Sequence, residues 1–84
     1  EWLVERRVAI TGCDTWSYGP VPAEDPDEPF VVPQTLNVKH GVVVLENLKL
    51  GPLADAGVAE FMLVVAHPKL RGATGAWVAP LAVL

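Results

Sequence analysis

Five of the eight prolines in this 84-residue chain fall between residues 15 and 34. Proline has no backbone N–H and a fixed φ, so it interrupts helices and the interior strands of sheets. The same stretch shows no regular spacing of apolar residues, and we therefore expect a loop of about 20 residues. Loops of that length are uncommon in compact domains and are frequently binding loops. Regular structure must come from the short segments on either side.

Those flanking segments predict an α/β chain with about four strands and the end of one helix. The first seven residues, EWLVERR, have the apolar spacing of an amphipathic helix. Residues 35–41 predict one helical turn that Gly41 ends. Apolar and β-branched runs predict the strands, which fall in residues 8–14, 42–48, 58–68 and 77–84. The run VVVL at residues 42–45 is unbroken, which predicts a strand buried on both faces.

Composition limits the classes of function. The chain is 51% hydrophobic and 19% charged, which is typical of a folded domain. Its net charge of −4 argues against nucleic acid or an anionic membrane as the main partner. No apolar run approaches the length of a membrane-spanning helix. The single cysteine, Cys13, favours a reducing compartment, and we expect a cytoplasmic protein.

Three segments carry a resemblance to a known family. They are WLVERRVAITGCDTWSYGP, PQTLNVKHGVVVLENL and HPKLRGATGAWVAPLAVL, and the resemblance they carry extends in order over essentially all 84 residues. The chain resembles the C-terminal part of the metal-dependent cyclase family, which contains bacterial kynurenine formamidase and isatin hydrolase. The resemblance implies that residues 1–84 are the C-terminal portion of one domain. It also implies a swivelling β/β/α layered fold, of which this portion is mostly strands.

The resemblance also implies a function. Members hydrolyse amide-type C–N bonds, as in an aryl formamide or a lactam such as isatin, with one or two divalent metals. The family signature His-x-Gly-Thr-His-x-Asp supplies most metal ligands and is not in this sequence. We therefore expect manganese or zinc to be held mostly by residues of a missing N-terminal half or a neighbouring chain. The first residue is Glu1 and the only methionine is Met62, so we expect a piece of something longer. The full-length form is expected to be a homo-oligomer.

The resemblance assigns two residues to the site by their spacing of twelve positions. Gln34 matches the position of a metal-ligating histidine in the formamidase branch, and glutamine there resembles the isatin hydrolase branch. An amide oxygen is a neutral, hard ligand that suits manganese, magnesium or zinc. Glu46 matches the glutamate twelve positions after that histidine, which implies a general acid/base role or the orientation of the metal-bound water.

Three residues around the proline-rich loop are candidates for substrate binding. Asp14 follows the first predicted strand and either lines the active site or caps a turn. Trp16 and Tyr18 either form walls for a flat, apolar substrate or anchor the loop to the core. His40 and His67 are interpreted as ordinary surface or hydrogen-bonded histidines, and Cys13 as a small buried side chain.

Two alternatives of a different class stay open. The chain could be a non-catalytic remnant, or a small subunit that completes another chain. A third possibility is a small β-rich module that binds a partner through the acidic segment AEDPDEP at residues 23–29, although such a segment is ordinarily a solvated loop.

Overall fold

A computed structural model describes all 84 residues and divides them into two compact units, Glu1–Leu50 and Gly51–Leu84. Short helices and four short strands make up the regular structure, and the strands form two separate two-stranded sheets. The prediction of a mixed α/β chain with four strands is confirmed at that level. None of the helices has the length and apolar character needed to cross a membrane.

A parallel strand pair forms the centre of the first unit. Strand β1 spans Ile10–Gly12 and strand β2 spans Val43–Leu45, with Ile10 opposite Val43 and Gly12 opposite Leu45. β-branched residues favour this extended, half-covered geometry. The pairing continues past the strand ends, because the Cys13 N–H donates to the Leu45 carbonyl over 3.0 Å. Parallel strands need a crossover, and the loop and helices between them supply it.

Helical segments lie before β1 and between β1 and β2 in the sequence. Helix α1 covers Trp2–Glu5, and helix α2 covers Val31–Pro33 and continues directly into a π-helix at Gln34–Lys39. The wider π-type ring is closed by the His40 N–H, which donates to the Thr35 carbonyl over 3.2 Å. Gly41 follows with a left-handed φ of 65°, as predicted for the residue that ends this helical turn.

The core of the first unit lies between the π-helix and β2. Its buried apolar side chains are Leu36, Val42 and Leu45, and the Val42 N–H donates to the Leu36 carbonyl over 2.8 Å. Burial along β2 is uneven: Leu45 is buried, whereas Val43, which points to the same face of the strand, is 51% exposed. The prediction that the whole run at residues 42–45 is buried on both faces is therefore wrong at Val43.

The second unit consists of a short helix and an antiparallel strand pair. Helix α3 spans Gly51–Asp55, strand β3 spans Met62–Val64 and strand β4 spans Leu81–Val83. Leu63 pairs with Ala82 at the centre of the sheet. The strands are shorter than predicted, and β4 begins immediately after Pro80, which has no N–H for a ladder. Every residue of both strands is exposed, so this pair has no core of its own.

Candidate functional site

The candidate site begins at the carboxyl edge of the parallel pair, where β1 and β2 both end. Parallel strands place their carboxyl ends at one edge of a sheet, and ligands in α/β proteins commonly bind outside that edge. Two backbone hydrogen bonds hold the segments after the strands together. The Leu48 N–H donates to the Cys13 carbonyl over 3.0 Å, and the Asn47 N–H donates to the Thr15 carbonyl over 2.9 Å.

Glu46 is the first residue after β2 and its side chain is exposed. Its Oε1 accepts a hydrogen bond from the Tyr18 N–H over 3.0 Å. The carboxylate therefore fixes the start of the proline-rich loop against the strand edge. A backbone N–H bonded to a charged acceptor is a stronger contact than a neutral pair.

The side chain of Tyr18 makes a second contact with the sheet through its hydroxyl. Its hydroxyl forms a hydrogen bond with Oγ1 of Thr11 in β1 over 2.8 Å, and its side chain is half-buried. The ring is thereby held between the strand and the loop. The two hydrogen bonds make Tyr18 an anchor of the loop, and the residue also lines a cleft in the loop.

Gln34 is the first residue of the π-helix and is exposed. Its Nε2 donates to the Pro29 carbonyl over 2.8 Å, which ties the helix to the preceding loop. The hydrogen bond uses the nitrogen and leaves the amide oxygen available to other groups. No hydrogen bond joins Gln34 to Glu46, so the structure does not connect the two residues directly.

Asp14 directly precedes the proline-rich loop and Trp16 lies at its start, and both are exposed. Trp16 leaves 61% of its surface accessible and is not among the residues that line the cleft near Tyr18. His40 and His67 are exposed as well, and His67 forms a hydrogen bond from its Nδ1 to the carbonyl of Pro68 over 2.9 Å. Cys13 is half-buried and unpaired.

The residues of this chain do not by themselves fit a divalent metal. No three His, Cys, Asp or Glu side chains gather closely enough to ligate one ion. Gln34 and Glu46 would supply one amide oxygen and one carboxylate, whereas a protein-bound Ca²⁺ takes six to eight oxygens and Mg²⁺ six, some from water. A metal site that includes them needs further ligands from elsewhere.

The sequence interpretation missed a cleft inside the proline-rich loop. It has a volume of about 300 Å³ and lies between the first part of the loop and the segment that leads into α2. Aromatic and aliphatic walls come from Tyr18, Phe30 and Val32. The acidic residues Glu24, Asp25 and Glu28 also line it, together with Ser17, and Oδ1 of Asp25 accepts from the Asp27 N–H over 2.9 Å. The prolines and the acidic segment are visible in the sequence. That they line one cleft depends on the path of the loop, which the sequence does not reveal.

Comparisons with protein-family models, with curated proteins and with solved structures found no match to this chain. The cyclase-family resemblance is therefore carried by the sequence segments alone.

Proposed function

We propose that this chain contributes part of the active site of a metal-dependent hydrolase of amide-type C–N bonds. The observation that supports the proposal is the position of Glu46, a carboxylate that follows β2 at the carboxyl edge of a parallel pair and is held by the Tyr18 N–H. In this proposal the complete domain has the swivelling layered fold of the cyclase family, and the protein is cytoplasmic.

The chain's own chemical contribution would be proton transfer by Glu46. Its carboxylate accepts a proton from a water as the water oxygen bonds to the amide carbon. The same proton passes to the leaving nitrogen as the C–N bond breaks, which yields a carboxylic acid and an amine. The substrate is an aryl formamide or a lactam such as isatin, and Asp14, Trp16 and Tyr18 are the proposed binding residues.

The proposed metal is manganese or zinc, and a bound ion of this kind activates water and polarises a carbonyl. From this chain only the Oε1 of Gln34 would serve as a ligand, because Nε2 already donates to Pro29. The other ligands would come from another segment or chain, as the incomplete donor set requires.

Elemental analysis tests this proposal directly. The chain should be purified alone and again co-expressed with whatever the same reading frame encodes upstream. We expect stoichiometric manganese or zinc only in the second sample, with hydrolysis of N-formylaniline that Glu46→Gln abolishes. The absence of metal and of hydrolysis in both samples would contradict the proposal.

A second candidate function is a non-catalytic chain that completes a partner's sheet. The specific observation in its favour is that β3 and β4 expose every residue, including Met62, Leu63 and Leu81. Exposed apolar surface of this kind is typical of an interface that is covered in an assembly. An upstream frame interrupted by a stop codon, together with a co-purifying partner and no hydrolysis, is the expected result in that case.

A further inference from the structure

One face of the β3–β4 sheet consists of large apolar side chains that remain exposed. Met62 is paired with Val83 and Val64 is paired with Leu81, so these four side chains lie on the same face. Each of them is between 44% and 61% exposed. A contiguous apolar face of this kind is typical of a surface that another molecule covers.

The total exposed surface is also larger than a folded chain of this size requires. The accessible surface is 7017 Å², whereas a folded protein of 9.0 kDa exposes about 4,900 Å². Two separate folded pieces with the lengths of the two units would together expose only about 5,800 Å². The excess over even this larger value is greater than the roughly 800 Å² that each partner buries in a standard protein interface. Nine of the sixteen exposed large apolar residues lie in residues 61–84.

The distribution of charge favours a second copy of this chain as the partner. The second unit has two acidic and two basic residues, so the net charge of −4 belongs entirely to the first unit. Neither β3 nor β4 contains a charged residue, and the nearest one is Glu60. Two copies that meet through this sheet therefore avoid the repulsion that a contact between their acidic first units would bring. The face offers no polar side chain, so a polar partner would lose hydrogen bonds with water without replacement, whereas an identical apolar face would not.

We propose that the chain forms a two-fold symmetric homodimer in which this face of one copy packs against the same face of the other. Two sheets that pack face to face lie about 10 Å apart, with the side chains of their inner faces interdigitated. A two-fold axis makes one apolar face complementary to itself and closes the assembly at two chains. The dimer thereby gives the sheet the second layer that a core requires. This inference does not rest on the proposed hydrolase function, because neither Gln34 nor Glu46 takes part in the interface.

Analytical ultracentrifugation of the full chain tests the proposal. We expect the average mass to rise with concentration from 9.0 kDa to twice that value and no further. Half-dissociation is expected below about 100 μM. A mass that stays at 9.0 kDa up to about 1 mM overturns the proposal, as does a mass that continues to increase beyond the dimer.

Two neighbouring positions of β4 provide matched variants. Leu81 lies on the proposed interface, whereas Ala82 lies with Leu63 on the opposite face, and both positions are exposed. Leu81→Lys and Ala82→Lys add the same charge to the same strand. We expect Leu81→Lys to raise the dissociation constant at least about tenfold, because the dimer would bury an unpaired charge. Ala82→Lys should change it less than about threefold. Equal effects of the two variants overturn the proposal.

The only methionine of the chain lies on the proposed interface and provides a test that needs no substitution. Isotope labelling of the methionine methyl group gives a single NMR signal, which belongs to Met62. In an equal mixture of labelled and unlabelled chains, we expect nuclear Overhauser effects from this methyl group to methyl groups of the unlabelled copy. We also expect its chemical shift to change on dilution in step with the average mass. A Met62 signal that stays constant while the dimer dissociates overturns the proposal.

Discussion

The Tyr18 N–H donates a hydrogen bond to Oε1 of Glu46 over 3.0 Å, which joins two residues 28 positions apart in the sequence. The contact fastens the start of the proline-rich loop to the end of β2. Glu46 therefore has a structural role in holding the loop, whether or not it also transfers protons. Any substitution of Glu46 must be designed so that the loss of this anchor can be distinguished from the loss of proton transfer.

Replacing Glu46 by alanine and by glutamine separates the two roles. The amide oxygen of glutamine can still accept from the Tyr18 N–H, whereas alanine offers no acceptor. We expect Glu46→Ala to lower the free energy of local opening at this amide by about 1 kcal/mol, which is a five- to tenfold faster exchange with D₂O. Glu46→Gln should change that rate by less than about threefold.

The measurement is amide hydrogen exchange followed by NMR, with Glu60→Ala as a matched control at an exposed site. Equal exchange at the Tyr18 amide in all variants would show that the hydrogen bond does not hold the loop. Hydrolysis that Glu46→Gln abolishes while the exchange rate stays unchanged would assign proton transfer to the carboxylate.

The hydroxyl of Tyr18 gives a second test of how the loop is held. Tyr18→Phe removes the hydrogen bond to Thr11 but keeps the ring. We expect a loss of about 0.5–1.5 kcal/mol in the free energy of unfolding, measured by urea denaturation with circular dichroism. Combining it with Thr11→Val should cost less than the sum of the single changes, because both remove the same contact. Strict additivity in this cycle would show that the hydroxyls do not interact.

Local sequence signals predicted much of the first unit. Gly41 ends the helical turn at its left-handed φ, and β1 and β2 arise where β-branched residues cluster. The burial of β2 was overestimated, because a run of valines reports that a strand is apolar and not how many layers cover it. In this chain Leu45 is buried, whereas Val43 on the same face of the strand is 51% exposed.

The candidate site was less accessible to sequence reasoning. Spacing singled out Gln34 and Glu46, but the hydrogen bonds they make to Pro29 and Tyr18 depend on the path of a loop without periodicity. Ser17 had no sequence signal at all, because a serine in a loop is ordinarily solvated. In the structure Ser17 is buried, its carbonyl accepts a hydrogen bond from the Thr15 hydroxyl, and the loop then returns so that Gly19 lies next to Val32.

A substitution at Gly19 tests the contact between the start of the loop and Val32. The Gly19 φ of 127° lies in the region that favours glycine, and a Cβ there would come within 3.1 Å of the Val32 Cβ. We expect Gly19→Ala to lower the free energy of unfolding by about 1–3 kcal/mol through backbone strain and crowding. Gly75→Ala is the control, since its added Cβ meets no atom within 4 Å and its φ is not in the left-handed region. Equal midpoints of thermal unfolding for the two variants would contradict this packing.

The exposed β3–β4 pair predicts association at high concentration. Its strands leave Met62 and Leu81 each about 60% exposed, and both outer edges of the sheet lack partners. We expect Met62→Lys with Leu81→Lys to reduce the sedimentation-average mass and the binding of an apolar dye, because charges block edge and face contacts. Val38→Lys, on an exposed single valine of the π-helix, is the control. A control that acts as strongly as the pair would remove β3 and β4 as the associating surface.

The side-chain nitrogen and oxygen of Gln34 have different expected roles, and substitutions can distinguish these roles. The nitrogen, Nε2, donates to the Pro29 carbonyl, while the oxygen is the proposed metal ligand. In this chain alone we expect Gln34→Ala and Gln34→Glu both to lower the free energy of unfolding by about 0.5–1.5 kcal/mol, because each removes the donor. Asn37→Asp makes the same amide-to-acid change at an exposed position of the same helix and should be close to neutral.

Binding of Mn²⁺ then tests whether the side-chain oxygen of Gln34 is a metal ligand. Because no three His, Cys, Asp or Glu side chains of this chain gather around one point, about 1 mM MnCl₂ should leave the unfolding midpoint of every variant unchanged. When the upstream segment is co-expressed, Gln34→Glu should bind the ion more tightly than the unchanged chain, since a carboxylate adds charge to the ligand set. Gln34→Ala should bind it more weakly. If both substitutions leave metal affinity unchanged in that sample, the contribution of Gln34 is limited to the hydrogen bond with Pro29.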